Sequence, residues 1–191
     1  VRPACIQFIR SIALNYPSET REIGRASQVS TLYIVLTGKC NSKCLYCFRD
    51  SDGSSAFLDK DYIKKAISSF KNISGTNPTI IYTGGEPCLY PDLLEIANYA
   101  KENKIRNTLQ TNGLLIDKNN APLYAGVFST IQISLDSPDE EVNDWLRGKK
   151  GHFKAVNRAL DILSKYNTKL RLAATVTKKN FRDILSIRET F

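Results

Sequence analysis

Residues 32–47 read LYIVLTGKCNSKCLYC, an apolar run followed at once by three closely spaced cysteines. The apolar run has the length and composition of a buried strand. Gly38, Asn41 and Ser42 are poor helix formers, so the segment after the strand is predicted to be a loop. The thiols spaced C-x3-C-x2-C in this loop belong to Cys40, Cys44 and Cys47.

Downstream of this stretch, short apolar runs alternate with amphipathic segments. This alternation is typical of repeated strand–helix units around a parallel sheet. The predicted strands are Leu32–Leu36, Thr79–Tyr82, Arg106–Gln110, Thr130–Leu135 and Leu170–Val176. The predicted helices are Lys60–Phe70, Asp92–Glu102, Glu140–Arg147 and Phe153–Lys165, and residues 180–191 also read as a helix without a closing signal.

The first predicted helix has recognisable start and packing signals. Asp59 precedes it as an N-cap, and Pro91 lies near the first turn of the second helix. One apolar stripe is expected to face the sheet, formed by Tyr62, Ile63, Ala66, Ile67 and Phe70.

The 191 residues are enough for one domain but short for a complete barrel. We predict a core domain over residues 31–191, with residues 1–30 as a leader or the end of a preceding element. The chain begins with Val1 and contains no methionine, so it is interpreted as a fragment. Neither a membrane-spanning run nor a signal peptide is visible, which favours a cytoplasmic protein without a membrane partner.

Five cysteines are an odd number, and three of them lie within eight residues. Metal ligation is therefore favoured over a disulfide framework. Thiolates are the usual ligands of iron–sulfur clusters, and three ligands leave one iron of a cubane open. A structural zinc site remains an alternative, although zinc normally takes four protein ligands. In the third interpretation, the thiols are small buried groups on one helix face.

The formal net charge of +8 suits an acidic electron donor, an acidic peptide or a nucleic acid. The basic residues are spread along helical segments rather than gathered in one run, so a solvated surface is favoured and nucleic acid is not expected.

Unusual residues follow the predicted strands, at the edge where parallel α/β sheets bind ligands. Gly84-Gly85-Glu86-Pro87 follows the second strand and Thr111-Asn112-Gly113 follows the third. The fourth strand carries Ser134 and Asp136 at its end. The sequence therefore predicts one site at this edge, shared with the cysteine loop.

The cysteine spacing after a first strand, with the aromatic Tyr46 before the third cysteine, resembles the signature of the radical S-adenosylmethionine (SAM) superfamily. The resemblance covers residues 31–191 and includes Gly84–Pro87, Ile133–Asp136, Arg147-Gly148 and Gly151-His152-Phe153. It implies an α/β fold, a partial (β/α)6 TIM-like barrel of parallel strands truncated before the last strand. The branch is similar to peptide maturases and the molybdenum-cofactor cyclase. Relatives often have His-Asp where this chain has Asn143-Asp144.

The resemblance implies a [4Fe–4S] cluster on Cys40, Cys44 and Cys47, with SAM chelated by the open iron. Reductive cleavage of SAM would give a 5′-deoxyadenosyl radical that modifies a substrate. A reduced flavodoxin or ferredoxin type protein is the implied electron donor. The implied substrate is a peptide, and nucleotide or small-molecule cyclisation is the alternative. A zinc-stabilised nucleic-acid-binding module and a scaffold that binds without reacting also remain open.

The resemblance also implies SAM contacts for residues outside the cysteine loop. Gly84 and Gly85 would let the backbone approach the ligand's ammonium, and Glu86 would pair with that ammonium or orient the loop. Ser134 and Arg147 would contact the methionine carboxylate. Asn112 would reach the ribose and Tyr46 would pack near the adenine. Each also has an ordinary structural interpretation, such as a turn at Asn112 or a core position for Tyr46.

Two further residues are interpreted as structural. Cys88 is expected to be a lone buried thiol, and His152 is expected to cap a helix or lie at the surface. Cys5 has no visible partner in the sequence.

Overall fold

Five parallel strands form one sheet in the computed structural model, which describes residues 29–47 and 57–187. The strand order follows the chain, so β1 and β5 lie at opposite edges and the sheet is an open, partial barrel. This confirms the predicted fold class. The strands are β1 (Val29–Val35), β2 (Ser74–Thr83), β3 (Arg106–Thr111), β4 (Thr130–Ser134) and β5 (Lys169–Ala173).

Helices connect the strands along the chain, as expected for strand–helix repeats. They are α1 (Lys60–Ile73), α2 (Leu93–Glu102), α3 (Ala121–Val127), α4 (Glu140–Arg147) and α5 (His152–Leu163). Two short 3-10 helices are formed by Pro87–Leu89 and Ile184–Ser186. The predicted N-cap of α1 is confirmed, since the Asp59 carboxylate accepts a hydrogen bond from the Tyr62 amide at 2.8 Å.

All five predicted strands and four predicted helices are present, with shifts of a few residues at their ends. The fifth strand ends at Ala173 rather than Val176. Helix α3 was not predicted, because its seven residues include Pro122 and Gly126. The helix predicted over residues 180–191 is wrong at its start, where turns and a 3-10 helix form, and residues 188–191 lie outside the described part.

The helices cover one face of the sheet, and the hydrophobic core lies between the helices and that face. Strand residues such as Ile80, Leu109 and Ile131 are fully buried against them, as the two-residue period of a strand requires. In α1, Ile63 and Ile67 are buried as predicted. Tyr62 was wrongly placed on this stripe, since it is 64% exposed.

The opposite face of the sheet is polar and concave. The intervening strand residues line a cavity of about 330 Å³ there. Gln110, Gln132 and Arg171 are neighbours in the register of β3, β4 and β5. Helices therefore cover one face of the sheet. On the other face, this cavity continues toward the carboxyl ends of the strands.

The predicted leader falls largely on residues 1–28, which lie outside the described residues, and β1 begins at Val29. Among the helices that the structure describes, none is long and apolar enough to span a bilayer.

Candidate functional site

The cysteine loop, residues 38–47, is held from the β2 side by backbone hydrogen bonds. The Gly85 amide donates to the Thr37 carbonyl at 2.7 Å, and the Glu86 amide donates to the Lys39 carbonyl at 2.8 Å. These bonds join the segment after β2 to the segment after β1, so the glycine motif fixes the start of the cysteine loop.

Close backbone packing explains both glycines of this motif. A Cβ added to Gly84 would lie 2.6 Å from the Thr37 carbonyl oxygen, and one added to Gly85 would lie 2.2 Å from the Lys39 carbonyl oxygen. Both distances are below any normal contact. The glycines are thus required by the protein's own backbone, a requirement that the sequence analysis did not identify.

The C-terminus of α4 holds the cysteine loop from the other side. The Leu45 amide donates to the Leu146 carbonyl at 3.0 Å. Gly148 caps α4 with a left-handed backbone (φ 56°), and a Cβ there would lie 2.0 Å from the Lys43 carbonyl oxygen. The loop is therefore clamped between two glycine contacts.

The three thiols line one cavity of about 480 Å³ at the carboxyl ends of the strands. Two of them meet N–H donors from predicted site residues: Asn112 Nδ2 lies 3.9 Å from Cys40 Sγ, and Arg147 Nη1 lies 3.8 Å from Cys44 Sγ. Burial raises the pKa of both thiols, and the Arg147 guanidinium opposes that rise for Cys44.

All of the other predicted site residues line this same cavity, so the prediction that the sheet brings them together is confirmed. They are Tyr46, Gly84, Gly85, Glu86, Asn112, Ser134 and Arg147. Gln110, Gln132 and Thr175 also line it and were not predicted. Only the alternation along β3 and β4 could have indicated the two glutamines.

Glu86 joins the segments that follow β2 and β3. Its Oε1 accepts from the Cys88 amide at 3.0 Å and the Thr111 hydroxyl at 2.7 Å, and its Oε2 accepts from the Asn112 amide at 2.8 Å. Burial raises the pKa of this carboxyl, while the three donors oppose the rise. Glu86 is only 1% exposed, so these contacts match the loop-orienting interpretation rather than a free ligand group.

Asp136 gathers the residues on the β4 side of the site. Its carboxylate lies 2.8 Å from Arg147 Nε, accepts from Arg147 Nη2 at 3.1 Å, and accepts from the Thr175 amide at 2.8 Å. The Tyr46 hydroxyl also donates to it. The side chain of Asp136 is completely buried and that of Arg147 is 8% exposed. Sequence reasoning noted Asp136 at the strand end but missed this role.

Asn143 and Asp144 connect α4 to α5. Asn143 Oδ1 accepts from the Asp136 amide at 3.0 Å, and its Nδ2 lies 3.0 Å from His152 Nδ1. Asp144 accepts from the amides of Gly151 and Phe153, which caps the start of α5. Asn143-Asp144 therefore has a structural role in this chain.

His152 is the first residue of α5, but Gly151 is the N-cap and His152 is fully buried, so both expected roles, a cap and a surface position, are wrong. Burial, and then the charge of Arg147, lower its pKa to about 4. Cys88 packs against the core, 3.5 Å from Thr111 Oγ1, and burial raises its pKa well above normal, as expected for a buried thiol. Cys5 lies outside the described residues.

The donor set suits a cluster better than a single ion. Among residues 29–47 and 57–187, no three or more His, Cys, Asp or Glu side chains are arranged to hold one metal ion. Thiolates of a cubane bind separate iron atoms, so they line a space rather than converge on a point. Three sulfurs around a partly open cavity fit that requirement.

The family pattern of the Radical SAM superfamily matches residues 34–190. An Fe-coproporphyrin III synthase from Methanosarcina barkeri is 36% identical over 156 residues, which are 80% of this chain and 38% of the relative. The subtilosin biosynthesis protein AlbA from Bacillus subtilis is 33% identical over 153 residues, which are 78% of this chain and 34% of the relative.

A solved structure of native anSMEcpe with bound AdoMet and Cp18Cys peptide superposes with a TM-score of 0.68 at 25% identity. The match covers 84% of this chain and 48% of that one. The chain thus spans between a third and a half of the length of these proteins. With the family pattern over most of its length, the chain belongs to the radical SAM superfamily, whose members use a [4Fe–4S] cluster and S-adenosylmethionine.

Proposed function

We propose that this chain is the catalytic core of a radical SAM enzyme that cleaves SAM reductively to modify a substrate. The observation that carries the proposal is the shared cavity, in which three thiols of one loop meet the predicted SAM residues from three neighbouring strand ends. This arrangement also favours a cluster enzyme over the zinc-stabilised nucleic-acid-binding module.

Cys40, Cys44 and Cys47 would hold the [4Fe–4S] cluster. When bound, the cluster and SAM supply the one-electron reductive cleavage that starts radical chemistry. The chain keeps the thiols in place through the two glycine clamps on their loop. The wall restricts water around Cys40 and Cys44, which are partly buried, whereas Cys47 is exposed at the cavity's open side.

Residues on the cavity wall would bind SAM. Ser134 ends β4 and leaves its side chain on that wall. A guanidinium has five N–H donors, and Arg147 directs three of its nitrogens to Asp136 and Cys44. One N–H on each terminal nitrogen is left to bind a carboxylate in the cavity. Asn112 and Tyr46 would contact the nucleoside portion.

A peptide is the first proposed substrate class. AlbA takes part in biosynthesis of the bacteriocin subtilosin, and anSMEcpe was solved with a bound peptide. A porphyrin is the second candidate, because a relative at 36% identity is an Fe-coproporphyrin III synthase. The net charge of +8 supports an acidic electron donor of the flavodoxin or ferredoxin type.

The experiment is anaerobic reconstitution with iron and sulfide, followed by reduction with dithionite in the presence of SAM. We expect a [4Fe–4S]⁺ electron paramagnetic resonance (EPR) signal that SAM perturbs, and formation of 5′-deoxyadenosine. Cys44→Ala should remove the signal, and Cys88→Ala should leave iron content unchanged because that thiol faces the core. Equal iron loss in both variants would contradict the ligand assignment. A cluster without 5′-deoxyadenosine would favour the non-reacting scaffold.

A second experiment distinguishes a peptide substrate from a porphyrin substrate. Each reconstituted sample is mixed with a cysteine-containing peptide or with iron coproporphyrin III, a precursor that an AdoMet-dependent heme synthase such as the 33% identical relative from Oleidesulfovibrio alaskensis would convert to heme. Loss of mass from the additive is followed by mass spectrometry. Change in the peptide alone would support the first class, and change in the porphyrin alone would support the second.

A further inference from the structure

The guanidinium of Arg147 contacts a cysteine sulfur of the site. Arg147 is the last residue of α4, and its Nη1 lies 3.8 Å from Cys44 Sγ, within the range of an N–H···S hydrogen bond. The side chain is 8% exposed, so water competes little for this donor. This hydrogen bond would therefore change the electronic properties of a metal group bound by the Cys44 sulfur.

Asp136 sets the direction of that donor. Two nitrogens of the planar guanidinium face its carboxylate, Nε at 2.8 Å and Nη2 at 3.1 Å. The hydrogen bond from Nη2 and the close ion-pair contact of Nε restrict rotation of the planar fork, which directs Nη1 toward Cys44.

The carboxylate is itself fixed by other groups. The Thr175 amide donates to it at 2.8 Å, and the Tyr46 hydroxyl donates to it from within the cysteine loop. Tyr46 also places its ring 5.7 Å from the guanidinium carbon of Arg147. Asp136 thus aims Arg147 at Cys44 through a set of buried contacts.

We propose that Asp136 aims Arg147 to donate a hydrogen bond to the Cys44 sulfur, and that this bond raises the reduction potential of the cluster that Cys44 would help to bind. The inference rests on the proposed function. Hydrogen bonds to the sulfurs and nearby charge both tune cluster potentials. Reduction adds a negative charge, and an N–H donor stabilises the more negative state.

Replacing Arg147 and replacing Asp136 should shift the reduction potential in opposite directions. Removal of Arg147 takes away the donor and leaves a buried carboxylate nearby, so the potential should fall. Asp136→Asn keeps an acceptor oxygen for Nη2, so the donor stays aimed, but it removes the negative charge beside the guanidinium, so the potential should rise. A merely structural role for the pair would not produce shifts of opposite direction.

The test is an EPR-monitored redox titration of the anaerobically reconstituted protein without SAM. In Arg147→Gln, we expect the ratio of reduced to oxidised cluster at a fixed potential to fall about tenfold, equivalent to about 59 mV for one electron. Asp136→Asn should shift the ratio in the opposite direction. Arg106→Gln is the matched control, since Arg106 begins β3 at the far end of the sheet and bonds the Asn77 carbonyl.

Arg147→Lys keeps the proposal testable if Asp136→Asn does not fold. Lysine retains the charge beside Asp136 but lacks the fork that reaches Cys44, so the potential should still fall. A potential equal to the wild-type value in both Arg147 variants would overturn the inference, as would a fall in Asp136→Asn. If the wild-type protein itself forms no cluster, the proposed function fails and the inference fails with it.

Discussion

Two buried carboxylates order the segments on opposite sides of the cysteine loop, and they do so by different chemistry. Glu86, after β2, accepts hydrogen bonds from neutral donors, among them two backbone amides and the Thr111 hydroxyl. Asp136, after β4, neutralises a buried guanidinium. The first side depends on backbone shape and the second on charge balance, so the two sides should respond differently to isosteric amide substitutions.

Loss of charge on the Asp136 side should have the largest effect. Asp136→Asn leaves Arg147 buried without its counter-charge, and we expect the free energy of unfolding to fall by about 3–5 kcal/mol. Urea unfolding of the metal-free protein, followed by circular dichroism, measures this change. Asp161→Asn is the control, since Asp161 is exposed on α5 and should change stability by about 0.5 kcal/mol or less. Equal effects in both variants would contradict the ion-pair account.

Low pH should reduce the stability of the Asp136 side through His152, whose ring contacts Asn143. Above about pH 6.5 the imidazole is neutral in both the folded and the unfolded state. Because burial lowers the folded-state pKa to about 4, only the unfolded state binds the proton between these values. Stability is therefore lost as pH falls through that window, by about 3 kcal/mol in total.

Comparison of wild type with His152→Gln at pH 7 and pH 4 isolates this contribution from other titrating groups. The stability advantage of the wild type should shrink at pH 4. The charges of Arg147 and Asp144 near the ring act on it in opposite directions, and both proteins retain them. If the stability difference between wild type and His152→Gln were the same at both pH values, the folded imidazole would bind its proton at pH 4 as readily as the unfolded one does.

Backbone shape on the Glu86 side is tested by Gly85→Ala. The added methyl meets the Lys39 carbonyl oxygen at 2.2 Å, so the cysteine loop must move. We expect a loss of about 2 kcal/mol and reduced iron content after reconstitution. Gly126→Ala is the matched control, because nothing lies within 4 Å of its added Cβ and α3 should gain about 0.5–1 kcal/mol. Wild-type iron content in Gly85→Ala would refute the clamp.

Glu86→Gln should have the smallest effect of the four. The amide keeps the shape of the side chain and one acceptor oxygen, but its NH2 group faces an N–H or O–H donor that loses its acceptor. We expect about 1–2 kcal/mol of destabilisation in the same urea assay. A loss as large as that of Asp136→Asn would abolish the distinction between the two sides.

The sequence predicted the strands and the cysteine loop well because their signals are local. Apolar runs such as the one ending at Leu36 report burial directly, and the glycines and polar residues after each strand mark the ligand edge. Helix α3 was missed because a short segment with Pro122 and Gly126 resembles a loop by propensity. Its formation depends on burial of Ala121 and Tyr124 in the core.

The contacts within the site could not be read from local pattern. Gly148 touches Lys43, and Arg147 pairs with Asp136, only because loops from different strand ends approach each other in the folded chain. The same is true of His152, a single histidine without a periodic signal, whose burial follows from the packing of α4 against α5. Residue positions were predictable here, whereas their partners required the tertiary structure.

The double clamp on the cysteine loop bears on how the protein is loaded with iron. Many metal-binding loops become ordered only when the metal arrives, so metal loss unfolds them. In this chain the amides of Leu45, Gly85 and Glu86 already have protein acceptors. The conformational entropy of these residues, about 1–2 kcal/mol each, is lost when the sheet folds. A protein stripped of its cluster by oxygen is therefore expected to stay folded and ready to be refilled.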